Sequence, residues 1–217
     1  MALIAVLLVL LSYFYGCFST ARIIARSFRS LNIYKVGSGF ADTENIYLNI
    51  SKPLGLLTGV LDLAKSYAYL FFLKRLLLFM DKMALPPDLS LLYADNMFFI
   101  YGVAMLIGHC LPLTNRLRGG RGIFTYIGFV LFLAPYPMLA TLALAAVLVF
   151  GFGQIRFSQY TVVLLPVLLT VLLSALHPYL PFLHLHYMTA AFSAKLLGLA
   201  VVMGLLNYLV SKKLGEF

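Results

Sequence analysis

Long apolar runs alternate with short polar breaks from one end of the chain to the other. The runs lie near Leu3–Ile23, Leu54–Phe72, Leu92–Leu111, Ile123–Leu133, Met138–Gly153, Thr161–Leu176 and Thr189–Leu209. Most approach the roughly 20 apolar residues that a helix needs to cross the hydrocarbon core of a bilayer. They show none of the apolar–polar alternation of a barrel strand. Backbone polar groups in lipid must be satisfied within the segment, so helices are the expected spanning form. The fourth and fifth runs are short and are separated by Ala134, Pro135, Tyr136 and Pro137. Two helices there give seven spans, and one kinked helix would leave six and reverse the later topology. The pattern predicts an all-α polytopic transmembrane bundle of about seven spans, a single integral membrane domain over residues 1–217, with no repeat or low-complexity linker.

Lys and Arg flanking the runs set orientation, because cytoplasmic loops retain them. With seven spans, one set of connections holds Arg22, Arg26, Arg29, Lys35, Lys52, Arg116, Arg118, Arg121, Arg156, Lys212 and Lys213, and the other holds Lys74, Arg75 and Lys82. The imbalance puts the N-terminus outside and the C-terminus in the cytoplasm. Ala2–Tyr15 has no basic segment before it and no small-residue cleavage pattern after it, so it reads as a retained span rather than a removed signal.

Composition sharpens this. Hydrophobic residues make up 63% of the 217 positions and charged ones 11%, against about 25% charged in soluble domains, and mean hydropathy is +0.99. Water is excluded as the main solvent. The net charge of +9 sits in short loops beside apolar spans, which favours membrane lipid headgroups and small anionic substrates over nucleic acid. Cys17 and Cys110 fall in apolar surroundings without metal or redox spacing and read as small buried residues.

Two glycine-containing loops carry the candidate chemistry. In Gly37-Ser38-Gly39 two glycines frame a hydroxyl, which suits either an ordinary turn or a loop whose N–H groups approach an anion. The stretch Gly108-His109, Pro112 and Arg116-Leu117-Arg118-Gly119-Gly120-Arg121-Gly122 says more. Arginines beside a span are ordinary topology anchors. The glycines framing Arg118 and Arg121 also describe a backbone nest with two guanidinium forks, which fits phosphate oxygens. His109 is either a satisfied structural imidazole or a group that acts on a substrate proton. Asp62 and Lys65, spaced i,i+3 inside a span, would each cost about 2.5–3.5 kcal/mol if isolated at the bilayer centre, so they are expected to pair with each other or with a loop. His177, His184 and His186 have Pro178 and Pro181 between them and no acidic residue or Cys nearby, so no metal site is assigned.

In order and separation the two loops resemble those of the bacterial acyl-phosphate-dependent glycerol-3-phosphate acyltransferases of the PlsY type. That family's second cytoplasmic motif reads GHxxPxxxxFKGGKG. Here Gly108 to Gly122 reads GHCLPLTNRLRGGRG, with Arg118 and Arg121 where the family has lysine. The family's first motif, GSGNPGATNVLR, is met by GSGFADTENIYL, where Gly37, Ser38, Gly39 and Asn45 match and Phe40, Ala41 and Leu48 depart. Tyr15-Gly16 and the Asp62–Lys65 segment also look like the family. Its third motif, a His-Arg-Glu-Asn run followed by Gly-x-Glu, is met at most by Asn207 and Gly215-Glu216, with Met203, Gly204, Leu205 and Leu206 where polar residues are expected.

The resemblance implies a multi-pass enzyme of the bacterial cell (inner) membrane that uses no cofactor. It would move an acyl group from acyl phosphate to glycerol 3-phosphate, or a related hydroxyl acceptor, in phospholipid synthesis. The acceptor would attack directly, without an acyl-enzyme, in keeping with the lack of a nucleophile–base pair. His109, Ser38 and Asn45 are the catalytic candidates. Gly37, Ser38, Gly39, Arg118, Gly119, Gly120, Arg121 and Gly122 are the phosphate-binding candidates, with Asn207 as a further one. The alternative is a catalytically silent paralogue that binds lipid precursors or scaffolds a partner enzyme. A transporter would need more polar residues along its spans than Asp62 and Lys65.

Overall fold

Helices occupy the apolar runs, and caps and glycines decide where they end. The computed structural model describes residues 2–83, 85, 89–176, 179, 187 and 189–214. The positions His177, Pro178, Pro181, His184, His186, Gly215 and Glu216 lie outside them. Among the described residues the α-helices are α1 Ala2–Gly16, α2 Thr20–Arg29, α3 Thr43–Asn49, α4 Lys52–Lys82, α5 Asp95–Cys110, α6 Ile123–Leu133, α7 Pro135–Ala146, α8 Ile155–Leu176 and α9 Ala190–Leu214. Among the described residues five segments are long and apolar enough to cross a membrane: Ala2–Arg29, Lys52–Lys82, Asp95–Asn115, Ile155–Leu176 and Ala190–Lys213. Two shorter apolar helices, Ile123–Leu133 and Pro135–Gly151, take up the remaining runs. The all-helical membrane architecture expected from the pattern is the one observed.

The first run differs from expectation, because α1 and α2 are separate helices rather than one continuous span to Ile23. Ser19 takes an extended backbone, and its Oγ accepts the Arg22 N–H at 3.2 Å, which is an N-cap and starts a new helix. The carbonyl of Phe18, freed by the break, accepts from Lys65 Nζ at 2.7 Å. The helix of the second apolar run, α4, continues well past Phe72, because its basic residues find partners instead of ending it. Lys74 pairs with Asp95 at 3.5 Å, and the Arg75 guanidinium lies over the Phe71 ring at 5.2 Å. Between α6 and α7 the break narrows to Ala134, with Pro135 at the first helical position, where its missing N–H is harmless.

The chain forms two units, Met1–Phe129 with Leu206–Phe217, and Val130–Leu205. In the first, α1 crosses α5 so closely that a Cβ on Gly16 would strike the Met105 carbonyl, and one on Gly108 would strike the Tyr13 carbonyl. Small residues at such crossings let backbones touch in a bilayer, where no hydrophobic force drives helices together. Tyr13 binds the end of α5, its hydroxyl donating to Leu111 O at 2.8 Å and accepting from the Leu113 N–H at 3.1 Å. In the second unit α7 packs against α8.

Candidate functional site

The first glycine loop leaves α2 through Ser30 in the left-handed region and turns at Gly37 and Gly39, with φ of 53° and 75°. Asn45 holds it from inside. Its Nδ2 donates to Phe40 O at 2.8 Å and Val36 O at 2.9 Å, with a longer contact to Ile33 O at 3.4 Å, and its Oδ1 accepts from Asn49 Nδ2 at 2.9 Å. The donor end of this buried amide therefore serves the loop, and its acceptor end is tied to Asn49 of α3. Ser38 sits on the exposed outside of the turn, and its hydroxyl makes no hydrogen bond among the described residues.

The second loop folds back against the end of α5. Arg116 and Leu117 have positive φ, the Arg116 carbonyl accepts from Lys213 Nζ at 2.9 Å, and Asn115 Nδ2 donates to Arg118 O at 2.8 Å. A Cβ on Gly119 would strike the carbonyls of His109 and Cys110, and one on Gly120 would lie 2.6 Å from Ala41 O. The two loops join here, the Ala41 N–H donating to Gly119 O at 3.2 Å. The Gly120 N–H turns to His109 O at 3.4 Å, and Gly122 has φ of 75°. Close packing alone thus requires these glycines. The Arg118 side chain is exposed and has no carboxylate partner among the described residues.

Beneath the second loop lies a buried polar network. Thr20 Oγ1 donates to Asp62 Oδ1 at 2.6 Å, and Asp62 pairs with Lys65 at 3.2 Å. Lys65 Nζ also lies 3.4 Å from His109 Nδ1. The expected pairing of Asp62 with Lys65 is observed. His109 is buried, its imidazole faces this network, and its carbonyl meets the Gly120 N–H.

Arg121 is flanked by Glu44 and Phe40, which the sequence did not assign to the site, and by Asn207, which it did. Its Nη1 donates to Glu44 Oε2 in an ion pair, its guanidinium lies over the buried Phe40 ring at 4.4 Å, and its carbonyl accepts from Asn207 Nδ2 at 3.2 Å. Asp42 caps α3, Oδ1 accepting the Asn45 N–H at 2.9 Å, while Oδ2 is buried with no partner at hydrogen-bonding geometry among the described residues. Burial pushes the Asp42 carboxyl up to about 6, against the opposing pull of the Asn45 N–H and the Arg121 charge. The Tyr34 hydroxyl is buried near Asn115, Arg22 and Arg118, with no partner at hydrogen-bonding geometry among the described residues. Glu44 lies inside the first motif, but its contact with Arg121 is not readable from the sequence.

The structure thus brings Ser38, the glycines of both loops, Arg118, Arg121, His109 and Asn207 to one end of the first unit. Known proteins resemble this chain over most of its length. The profile of the family described as Glycerol-3-phosphate acyltransferase matches residues 6–206. A glycerol-3-phosphate acyltransferase of Alkaliphilus metalliredigens is 26% identical over 159 residues, which cover 73% of each chain. Glycerol-3-phosphate acyltransferase 1 of Lactobacillus acidophilus is 30% identical over 139 residues, 64% of this chain and 60% of that one. The crystal structure of PlsY, an integral membrane glycerol 3-phosphate acyltransferase, in its glycerol 3-phosphate form superposes with a TM-score of 0.69 at 20% identity, covering 96% of this chain and 88% of that one. Its lysophosphatidic acid form gives 0.65. A family match that takes in both glycine loops and the helices between them leaves one assignment: this chain belongs to the glycerol-3-phosphate acyltransferase family of integral membrane proteins.

Proposed function

We propose that the protein transfers an acyl group from acyl phosphate to the hydroxyl of glycerol 3-phosphate at the cytoplasmic face of a bacterial inner membrane. The observation that carries this reading is the joining of the two loops, which puts the exposed Ser38 hydroxyl and the exposed Arg118 side chain on loops held together by the Ala41–Gly119 bond. Arg118 and Arg121 hold phosphate oxygens, and Ser38 orients the acceptor. The acceptor oxygen bonds to the acyl carbon, the acyl–phosphate C–O bond breaks, and the hydroxyl proton leaves with the departing phosphate. No acyl-enzyme forms. Asn45 and His109 act by holding the two loops, as their hydrogen bonds indicate.

The test is phosphate release from palmitoyl phosphate by the purified protein in detergent, with and without glycerol 3-phosphate. Acceptor-dependent release is expected. A catalytically silent paralogue is the second reading, favoured by the Glu44 carboxylate that already occupies Arg121, and it gives no release in either arm.

A further inference from the structure

Arg121 is engaged before any ligand arrives. Glu44 holds the guanidinium edge and Phe40 covers a face, with the Arg121 and Glu44 side chains each only 14% exposed. Glu44 lies in the first turn of α3, while the backbone of this segment is fixed independently by Asp42 and Asn45. The backbone of the loop therefore does not depend on the Glu44–Arg121 ion pair.

A carboxylate on a guanidinium makes the contact that a phosphate oxygen would make. A monoanionic ligand that displaces Glu44 exchanges one such contact for another and gains little. A phosphate monoester carries a second charge and a third terminal oxygen, for which Arg118, exposed three residues before Arg121 in the same loop and without a carboxylate partner among the described residues, is available. We propose that Glu44 is a specificity-determining residue, which rests on Arg121, turns away singly charged anions and yields the site to doubly charged phosphate monoesters. The inference rests on the reading of the second loop as the phosphate site.

The test measures binding by isothermal titration calorimetry to the full chain in detergent. The ligands are glycerol 3-phosphate, its phosphate methyl ester and glycerate; the last two are single anions of similar size. Wild-type protein is expected to bind the two single anions at least about tenfold more weakly than glycerol 3-phosphate. Glu44→Gln, checked for an unchanged thermal midpoint, is expected to tighten all three, the single anions by about tenfold or more, so that the discrimination narrows. Adding Arg121→Ala to Glu44→Gln removes that gain. Equal affinities for the three ligands in the wild type would overturn the proposal even if Glu44→Gln fails to fold. So would a folded Glu44→Gln that binds no more tightly than the wild type, the behaviour of a purely structural strut. If discrimination follows expectation but no acyl transfer occurs, the enzyme reading fails and the role of Glu44 stands. Robust transfer with affinities indifferent to Glu44 gives the reverse.

Discussion

Thr20 and Asp62 are joined by a 2.6 Å hydrogen bond that ties the first turn of α2 to the middle of α4. Both residues are buried, and Asp62 also carries Lys65, whose ammonium reaches the Phe18 carbonyl at the α1–α2 break. The broken first helix and the intramembrane ion pair are therefore one device. Neither half is stable alone, because an unpaired charge or an orphaned carbonyl in this setting has no water to turn to.

Asp62→Leu is accordingly expected to destabilise the protein by about 3–5 kcal/mol, since it strands a buried ammonium. Asp62→Leu with Lys65→Met removes both charges and is expected to recover most of that loss, leaving mainly the unsatisfied Phe18 carbonyl, a cost of about 1–3 kcal/mol. Thermal midpoints in detergent check this. A double variant no better than the single one would show that the charges do not act as a pair.

Asn45 and Ser38 lie in one motif but are expected to fail differently. Asn45→Ala deletes two short hydrogen bonds and one longer one from the loop interior, and at about 1 kcal/mol each it costs about 2–3 kcal/mol of stability. Ser38→Ala touches an exposed hydroxyl and stays within about 0.5 kcal/mol of wild type, while lowering acyl transfer about tenfold or more. Midpoints and turnover measured on the same preparations separate the two roles.

The sequence made the membrane class legible because about 20 apolar residues between polar breaks have few other uses in a folded chain. Asp62 and Lys65 were legible for a related reason, since intramembrane charges three residues apart must find each other. The break before Thr20 was not read, although Gly16 and Ser19 mark it, because the apolar run continues through them. The environment of Arg121 was hidden for a different reason. Glu44 lies 77 positions away in the chain, and only the folded contact between the loops brings it there. The glycines of the second loop were read for their anion-binding geometry. The structure adds a steric requirement, because Gly119 and Gly120 stand where backbone carbonyls leave no room for a side chain.

Asp42 gives a pH dependence with a definite sign. Its folded-state carboxyl is raised to about 6 from 3.8 by burial. Between those values the folded protein holds a proton that the unfolded chain has released, so stability falls as pH rises through this window and the loss is complete above it. At 1.36 kcal/mol per pH unit the gap corresponds to about 3 kcal/mol. The groups facing it, Glu44, Arg121 and the Asn45 N–H, remain in Asp42→Asn, which also keeps a capping side chain. The midpoint of Asp42→Asn minus that of wild type is therefore expected to grow between about pH 4 and pH 6 and then level off. A flat difference would show that the buried Oδ2 is solvated.

Arg116 and Arg118 separate topology from chemistry within one loop. The positive-inside rule counts both equally, since it registers charge near a span and ignores geometry. In the fold they differ: Arg116 uses its carbonyl to receive Lys213, a contact that an alanine backbone preserves, whereas Arg118 precedes the joined glycines and has an exposed side chain without a carboxylate partner among the described residues. Arg116→Ala is expected to leave acyl-phosphate and glycerol 3-phosphate affinities within about twofold. Arg118→Ala removes a charge-assisted contact worth about 1.5–3 kcal/mol and is expected to weaken phosphate-ligand binding about tenfold or more, with an unchanged midpoint. Arg118→Lys retains much of the binding, because a point charge also holds phosphate. Titrating both alanine variants with the same ligands in detergent decides the matter. Equal and small losses at the two positions would mean that this loop anchors the helix bundle and the phosphate lies elsewhere.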